Sequence, residues 1–367
     1  MKNVAVIFGG ISVEHDVSVI TGVLTLNCFK NIGYNPIPIY IDTEGVFYTG
    51  EILKDIENYK TLNKKKLKRV TFFNGDNNLY QIKGKKHKSL GAISVAINCT
   101  HGEYGEDGSI FGLLKLSKIP LASPSLLGAS VSMDKYATKL FLKGIGVKYL
   151  PCVNYKTQQD LLVAEKKLGF PVMVKPARLG SSIGIKKASN KDELLESVNY
   201  ALKFDSKVLI EKCLENFKEI NCAVYKNSKN EIICSPLEQP FFKGEILSFD
   251  DKYSSGEREF PANLEKGITQ KIKNISKKVY EELGFTGIIR IDFMVKENNV
   301  YLNEINSVPG SLSYYLFSET FNDFSKILKE NVLLAEKNFA IEQSLTKKIT
   351  TSVLQLKGIK GGKGGKK

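Results

Sequence analysis

Apolar positions along this chain fall into two periods, and their alternation lays out the architecture. Val4 to Phe8 is an unbroken apolar run, followed by Gly9-Gly10, the polar Ser12-Val-Glu-His-Asp16 and an apolar-periodic stretch from Val17 to Leu24. That pattern predicts strand, glycine turn and helix. Ile37 to Asp42 predicts a second buried strand and Ala92 to Asn98 a third, each flanked by helix-like or polar material. Strands alternating with helices predict a doubly wound parallel sheet, whose ligands lie beyond the strand C-termini. Glu14, past the first strand, and His101 to Gly108, past the third, then face one crevice. Residues 48–90 are Lys- and Asn-rich and predict surface strands and loops, and Ala122-Ser-Pro-Ser125 marks a linker.

Beyond the linker, Leu126 to Lys143 predicts one or two helices and Lys191 to Leu202 an amphipathic helix, with buried strands at Pro171 to Lys175 and Val208 to Glu211. From Glu219 onward strands dominate, at Ile220 to Tyr225 and Glu231 to Ser235, with helices at Leu264 to Leu283 and Asp323 to Asn338. The expected class is therefore α/β, turning α+β in the C-terminal part, with domains at 1–122, 123–213 and 214–350. Residues 240–261 lack periodicity, and a loop of that length inside a compact domain usually serves function. The Lys/Gly tail at 351–367 has the composition of a disordered end.

The stretch from Gly287 to Asn306 predicts a hairpin around Glu297-Asn298-Asn299. Ile289, Ile291, Phe293 and Val295 alternate with Arg290, Asp292 and Met294, so the charged side chains share a face. On the return strand Leu302, Glu304 and Asn306 fall on one side. A three-residue loop sets Asp292 opposite Glu304 and Arg290 opposite Asn306, with paired Cβ atoms about 5 Å apart. Two carboxylates so placed repel unless a hard cation sits between them. Oxygen donors without His or Cys suit Mg²⁺ or Mn²⁺, which then take phosphate oxygens as further ligands. A surface hairpin with separately solvated acids fits the same pattern.

Val174-Lys-Pro-Ala-Arg-Leu-Gly-Ser-Ser-Ile-Gly-Ile185 joins a Lys to a glycine-serine loop between apolar strands. Its backbone N–H groups and the Ser181 and Ser182 hydroxyls can cradle phosphate, with Lys175 as a point charge; the competing reading is an ordinary hairpin turn. The Lys precedes the loop, so this is no Walker A. Val208 to Leu214 offers strand-end backbone to a purine and Glu219 an acceptor to ribose hydroxyls, though either carboxylate also fits a plain surface position.

Composition narrows the function classes. A 367-residue chain with 42% apolar residues forms two or three domains. Cys28, Cys99, Cys152, Cys213, Cys222 and Cys234 are widely spaced and form no CxxC pair, so neither a disulfide framework nor a zinc site is indicated. No signal peptide and no apolar run near the ~20 residues of a membrane span are present, so the expected location is the cytoplasm. The net charge of +14 suggests nucleic acid, but five lysines fall after residue 356 and the remainder spread over helix faces such as Lys64, Lys65, Lys66 and Lys68. Lys far outnumbers Arg, and no aromatic-basic signature occurs, which argues against nucleic acid.

Six motifs in order, Gly9-Gly10-x-Ser-x-Glu14, His101-Gly-x-x-Gly-Glu-Asp-Gly108, Met133-Asp-Lys135, Val174-Lys-Pro to Gly184, Lys252-Tyr253, and Arg290-x-Asp292 with Glu304-x-Asn306-x-x-Pro-Gly310, resemble the D-alanine:D-alanine ligases of the ATP-grasp superfamily. The resemblance runs from about Lys2 to Ala335. It implies three domains, with ATP held between the central and C-terminal ones and the amino acids beside its γ-phosphate. By motif, Asp292, Glu304 and Asn306 are implied to hold two Mg²⁺ ions. Lys135, Lys175, Ser182 and Lys252 are implied to contact ATP phosphates, and Glu211, Lys212, Leu214 and Glu219 to form the nucleoside pocket. Glu14 is implied to bind the ammonium of the first D-alanine, near His101, and to hydrogen-bond with Ser181 and Tyr253 as 240–261 closes as a lid. Arg290 is implied to stabilise charge on the acyl oxygen and the transferred phosphoryl group.

The resemblance further implies that D-alanine and ATP are substrates and that an acyl phosphate links two steps in peptidoglycan precursor synthesis; it allows a homodimer. It departs at Pro309-Gly-Ser-Leu-Ser-Tyr-Tyr-Leu316, where Tyr315 stands near a place usually held by a small hydroxyl residue beside Gly310. Tyr315 and Tyr314 are open to two readings, contact with the second substrate or aromatic packing. A D-serine acceptor is therefore an alternative, Lys252-Tyr253 speaks against D-lactate, and a catalytically inactive nucleotide-binding regulator is the rival from another class.

Overall fold

The structure is a computed structural model that describes residues 1–29, 32–241 and 257–352. The expected readings for Lys252, Tyr253, most of the 240–261 lid and nearly all of the 351–367 tail lie outside the described residues. Seven strands form the N-terminal sheet: β1 (Lys2–Gly9), β2 (Tyr34–Ile41), β3 (Phe47–Thr49), β4 (Lys68–Phe72), β5 (Asn78–Lys83), β6 (Lys86–Ala92) and β7 (Val95–Asn98). They lie in the order β6-β5-β4-β3-β2-β1-β7.

Only β1 with β2 and β1 with β7 pair in parallel, and every step from β2 to β6 is antiparallel. The doubly wound expectation holds for three strands and stops there. Its limit is connection length: after β2 the Asp42 carboxylate accepts from the N–H groups of Glu44 and Val46, at 3.0 and 2.9 Å. So short a link can only reverse the chain, whereas a parallel return needs a crossover of about a dozen residues. The apolar run expected as one strand from Ala92 to Asn98 is likewise split between β6 and β7. Around the parallel strands both faces are covered. Helix α1 (His15–Cys28) packs Val19, Val23 and Leu26 on Val4, Val6 and Phe8. Helix α2 (Ser109–Leu116) packs Ile110 and Leu114 on Ala5 and Ile7.

After the linker come α3 (Leu126–Met133) and α4 (Lys135–Gly144). Next in the chain is an antiparallel sheet of β8 (Cys152–Tyr155), β9 (Val172–Pro176), β10 (Lys186–Ala188) and β11 (Val208–Lys212), in the order β10-β9-β11-β8. It is covered by α5 (Gln159–Leu168) and α6 (Lys191–Ala201). A second antiparallel sheet comprises β12 (Lys218–Lys226), β13 (Ile232–Cys234), β16 (Ile288–Lys296) and β17 (Asn299–Asn306), in the order β13-β12-β16-β17. Two short strands, β14 (Gln239–Pro240) and β15 (Arg258–Glu259), pair beside it. Helix α7 (Lys266–Glu282) fills its core with Ile272, Val279 and Tyr280, and Leu142 of α4 joins the same core. The last helix, α8 (Phe321–Ser344), returns to the N-terminal sheet, where Phe324, Leu328 and Val332 meet Val4 and Phe8.

The hairpin reaches its expected register by a different route. Lys296 pairs with Asn299, so the turn is two residues, and on that register Asp292 would face Asn303. A bulge at Asn303 shifts the ladder by one, and Asp292 faces Glu304 with Arg290 opposite Asn306. The extra residue also turns Glu304 and Asn306 to the face opposite Leu302, as bulges beside functional sites do. Leu302, expected beside Glu304 and Asn306, is instead wholly buried in the core.

Candidate active site

The site grows from the outer face of the β12-β16-β17 sheet. Arg290 donates to both oxygens of Asp292, Nε to Oδ1 at 2.7 Å and Nη2 to Oδ2 at 2.8 Å. Burial disfavours the guanidinium's charge, but Asp292 outweighs it and holds Arg290 firmly protonated. Asn306 Nδ2 donates to Asp292 Oδ2 at 2.9 Å, which turns its carbonyl oxygen the other way. Glu304 is the register partner of Asp292, so Asp292, Glu304 and Asn306 stand on neighbouring strands of one sheet face. Among the described residues no group of three or more His, Cys, Asp or Glu is placed to hold a metal. The hard-oxygen set of Asp292, Glu304 and Asn306 fits a Mg²⁺-like ion that takes its remaining ligands from phosphate, and a carboxylate engaged by Arg290 keeps lone pairs for one.

Two adjoining cavities open above this face. The smaller, about 100 Å³, is lined by all eight described residues expected at ATP: Lys135, Lys175, Ser181, Ser182, Glu211, Lys212, Leu214 and Glu219. Lys135 is set at the start of α4 by Asp134, whose carboxylate caps the helix by accepting from Tyr136 and Ala137 N–H groups, both at 2.9 Å. Its ammonium donates to the Leu179 carbonyl at 2.6 Å and stands 3.9 Å from Glu304. Glu211, expected as a nucleoside contact, is buried between two cations: Lys175 donates to it at 2.6 Å, and Lys139 pairs with its other oxygen. Burial alone would raise the Glu211 pKa, yet the two lysines hold it below the usual carboxylate range. Lys175 is likewise kept charged by Glu211 against its burial. Lys175 lines the slot and Lys139 does not, so with Lys139 sharing the Glu211 charge, Lys175 is the cation of the pair placed to meet a phosphate.

The larger cavity, about 340 Å³, holds Glu14, His101, Ser181, Arg290, Glu304, Asn306, Gly310 and Tyr315. Glu14 sits at the first turn of α1, and Ser181 from the glycine-serine loop donates to its Oε1 across the domains. The loop approaches so closely that a Cβ on Gly180 would lie 2.9 Å from both Glu14 oxygens. Ser181 and Ser182 take φ of 52° and 57°, a left-handed turn that sets Ser181 on the wall of both cavities and Ser182 on that of the smaller one. His101 Nε2 bonds with Thr21 Oγ1 at 3.1 Å, and burial together with Arg290 pulls its pKa down to about 4, so it is neutral at working pH.

The Pro309-Gly310 segment continues through Ser311, Leu312 and Ser313 at φ of 52°, 49° and 50°. Three successive left-handed residues are costly, and strain of this kind collects at functional sites. Tyr315 and Tyr314 divide their two readings. Tyr314 packs on Phe321 and Phe324, with ring centroids 5.1 and 6.0 Å away. Tyr315 faces the cavity, and its hydroxyl accepts from Arg290 Nη1 at 3.4 Å.

Sequence reasoning did not single out five residues at the site. Glu106 is half-buried, accepts from Gly102 N at 3.0 Å, Val308 N at 3.1 Å and Ser307 Oγ at 3.3 Å, and is pushed up to about 7 by loss of solvent around its carboxyl and by Glu14. It lies inside the His101 to Gly108 motif, which was the available signal. Lys139 was hidden as one lysine on a helix rich in them. Asn221, the register partner of Asp292, donates to Glu238, and Arg258 pairs with Glu238 at 2.9 Å.

The family model described as "D-ala D-ala ligase N-terminus" matches residues 3–124, and the one described as "D-ala D-ala ligase C-terminus" matches residues 147–329. A "D-alanine--D-alanine ligase" of Thermosipho melanesiensis is 36% identical over 375 aligned positions, spanning 97% of this chain and 99% of the relative. Among solved structures, the D-alanine-D-alanine ligase from Helicobacter pylori is 30% identical with a TM-score of 0.75, over 95% of this chain and 100% of its own. The VanG D-Ala:D-Ser ligase from Enterococcus faecalis is 26% identical with a TM-score of 0.79, over 91% and 99%. With both halves of the family pattern matched in order and a relative aligned nearly end to end, the chain belongs to the D-alanine--D-alanine ligases, ATP-dependent enzymes of the ATP-grasp fold that join two D-alanines.

Proposed function

We propose that the two adjoining cavities divide the reaction, with ATP in the smaller and both amino acids in the larger, and that chemistry occurs where they meet at Glu304 and Ser181. The observation that carries this reading is the Asp292–Glu304 register with Arg290 bound beside it, Glu304 standing on the wall common to the two cavities and Arg290 on that of the Glu14 pocket. Glu14 pairs with the ammonium of the first D-alanine. That substrate's carboxylate oxygen attacks the γ-phosphorus, the bond to ADP breaks, and an acyl phosphate forms. The neutral amine of the second D-alanine then attacks the acyl carbon, phosphate leaves, and the amine loses a proton.

Both steps build negative charge on oxygen. Arg290, held by Asp292, presents a fixed cation to it without reorganising. Lys135 and Lys175 position the phosphates. Asp292, Glu304 and Asn306 would hold two Mg²⁺ ions, which neutralise phosphate oxygens during transfer. Tyr253 and Lys252 would act with the 240–261 lid to keep water from the acyl phosphate. The three domains at 1–122, 123–213 and 214–350, a cytoplasmic location and a homodimer complete the reading. Phosphate release from ATP, measured against a panel of D-amino acids, tests it: D-alanine alone should support turnover, and a chain that turns over only with another acceptor, such as D-serine, would refute the substrate assignment.

A further inference from the structure

The second amino acid brings its carboxylate into a cavity walled by other carboxylates, among them Glu14, Glu106, Glu238 and Glu304. Among the described residues lining it, three are cations: Lys135, Arg258 and Arg290. Lys135 sits on the wall common to the nucleotide slot and is bound to the Leu179 carbonyl. Arg290 is engaged on both Asp292 oxygens. Arg258 is held differently. Its Nη1 donates to Glu238 Oε1 at 2.9 Å, and Glu238 is itself fixed by Asn221 Nδ2 at 3.2 Å. The guanidinium lies 5.1 Å from the Tyr315 ring centroid and 5.3 Å from that of Phe260, gripped by two aromatic faces. A guanidinium stacked this way directs its in-plane N–H groups outward as a fork that matches a carboxylate. Arg258 keeps 38% of its side-chain surface exposed, while Glu238 behind it keeps 6%.

We propose that Arg258 binds the α-carboxylate of the second amino acid, with Tyr315 as the flat wall that orients it and Glu238 as a positioning residue behind the arginine. The inference rests on the ligase reading and assigns its acceptor subsite. It makes Arg258, at the base of the 240–261 segment, a determinant of which acceptors are used: a carboxylate is required, and an amide or ester at that position is rejected.

The test uses the full chain with ATP, D-alanine and D-alaninamide. D-alaninamide has no carboxylate to activate, so it can enter only as acceptor, and its product is told from D-alanyl-D-alanine by mass. The native chain should make the dipeptide acid almost alone. Arg258→Met should raise the acceptor-site KM for D-alanine by about thirty-fold, in the range of one lost charged hydrogen bond, and move the product mixture toward the amide. The KM for ATP should stay within about two-fold, and Arg258→Lys should recover part of the preference. An Arg258→Met enzyme with an unchanged acceptor KM and product ratio would overturn this inference alone. A native chain that forms no dipeptide would overturn the ligase reading and this inference with it.

Discussion

Lys139→Met removes one of the two cations around Glu211 while keeping side-chain volume. The side chains of Lys139, Lys175 and Glu211 keep 3%, 9% and 1% of their surface exposed, so no water replaces a lost partner. At the 2.6 Å separation of Lys175 and Glu211, an effective dielectric near 20 gives a gross attraction of about 6 kcal/mol. Most of that offsets the cost of burying the charges, and stripping a partner from a buried ion typically costs about 3–5 kcal/mol. Lys175 remains, so the lower end applies, about 3 kcal/mol, or a melting temperature lower by about 6 °C.

The same change acts on ATP binding. Lys175 can turn to a phosphate only if Glu211 keeps a counter-charge, so the ATP KM should rise about tenfold at saturating D-alanine. Glu211 is held below its unfolded pKa, so its contribution to stability is present above about pH 4 and is lost as pH falls through the folded value. The melting gap between the native chain and Lys139→Met should therefore narrow in acid. Thermal melts across pH and steady-state kinetics in ATP are the assays. A variant that melts like the native chain and keeps its ATP KM would refute the idea that Lys139 supports the pair.

Asp292→Asn and Glu304→Gln should each lower kcat by about a thousandfold or more with circular dichroism unchanged, and near-native kcat in either would contradict the metal assignment. Gly180→Ala places a methyl 2.9 Å from both Glu14 oxygens and should break the Ser181–Glu14 bond, raising the KM for the first D-alanine about tenfold; unchanged kinetics would show that the loop does not need this approach. Glu106 is raised to about 7 in the folded chain, so it favours folding below about pH 4 and that contribution disappears as pH rises through 7. Melts from pH 5 to 8 should therefore fall more steeply for the native chain than for Glu106→Gln, by up to about 3 kcal/mol of stability, and parallel curves would contradict the raised pKa.

Much of the site could be read from local pattern because its residues announce themselves locally. The period-2 alternation around Arg290 and Asp292 follows from one sheet face being buried, and Asp134 before Lys135 is a helix cap in plain view. The bulge at Asn303 left a trace that simple alternation overlooked. Val300 and Leu302 are two apart but the next core residue, Ile305, is three further on, and that odd step is the inserted residue. The surface strands expected over 48–90 are there, but their antiparallel extension of the parallel strands was not legible, because they are short and polar with few buried positions to set a period.

By itself, the sequence determined the order of strands and helices, the polar face of the β16–β17 hairpin, the glycine-serine loop with its Lys, and the set of motifs that resembles the ligases. Those are local properties, dictated by side-chain periodicity, caps and turns within a few residues. Tertiary structure alone decided that Ser181 reaches Glu14, that Val308 binds Glu106, that Lys139 completes the charge of Glu211 and that Arg258 stacks on Tyr315. Each of those contacts joins residues far apart in the chain. Which distant groups meet depends on how three sheets pack, and no local periodicity encodes that.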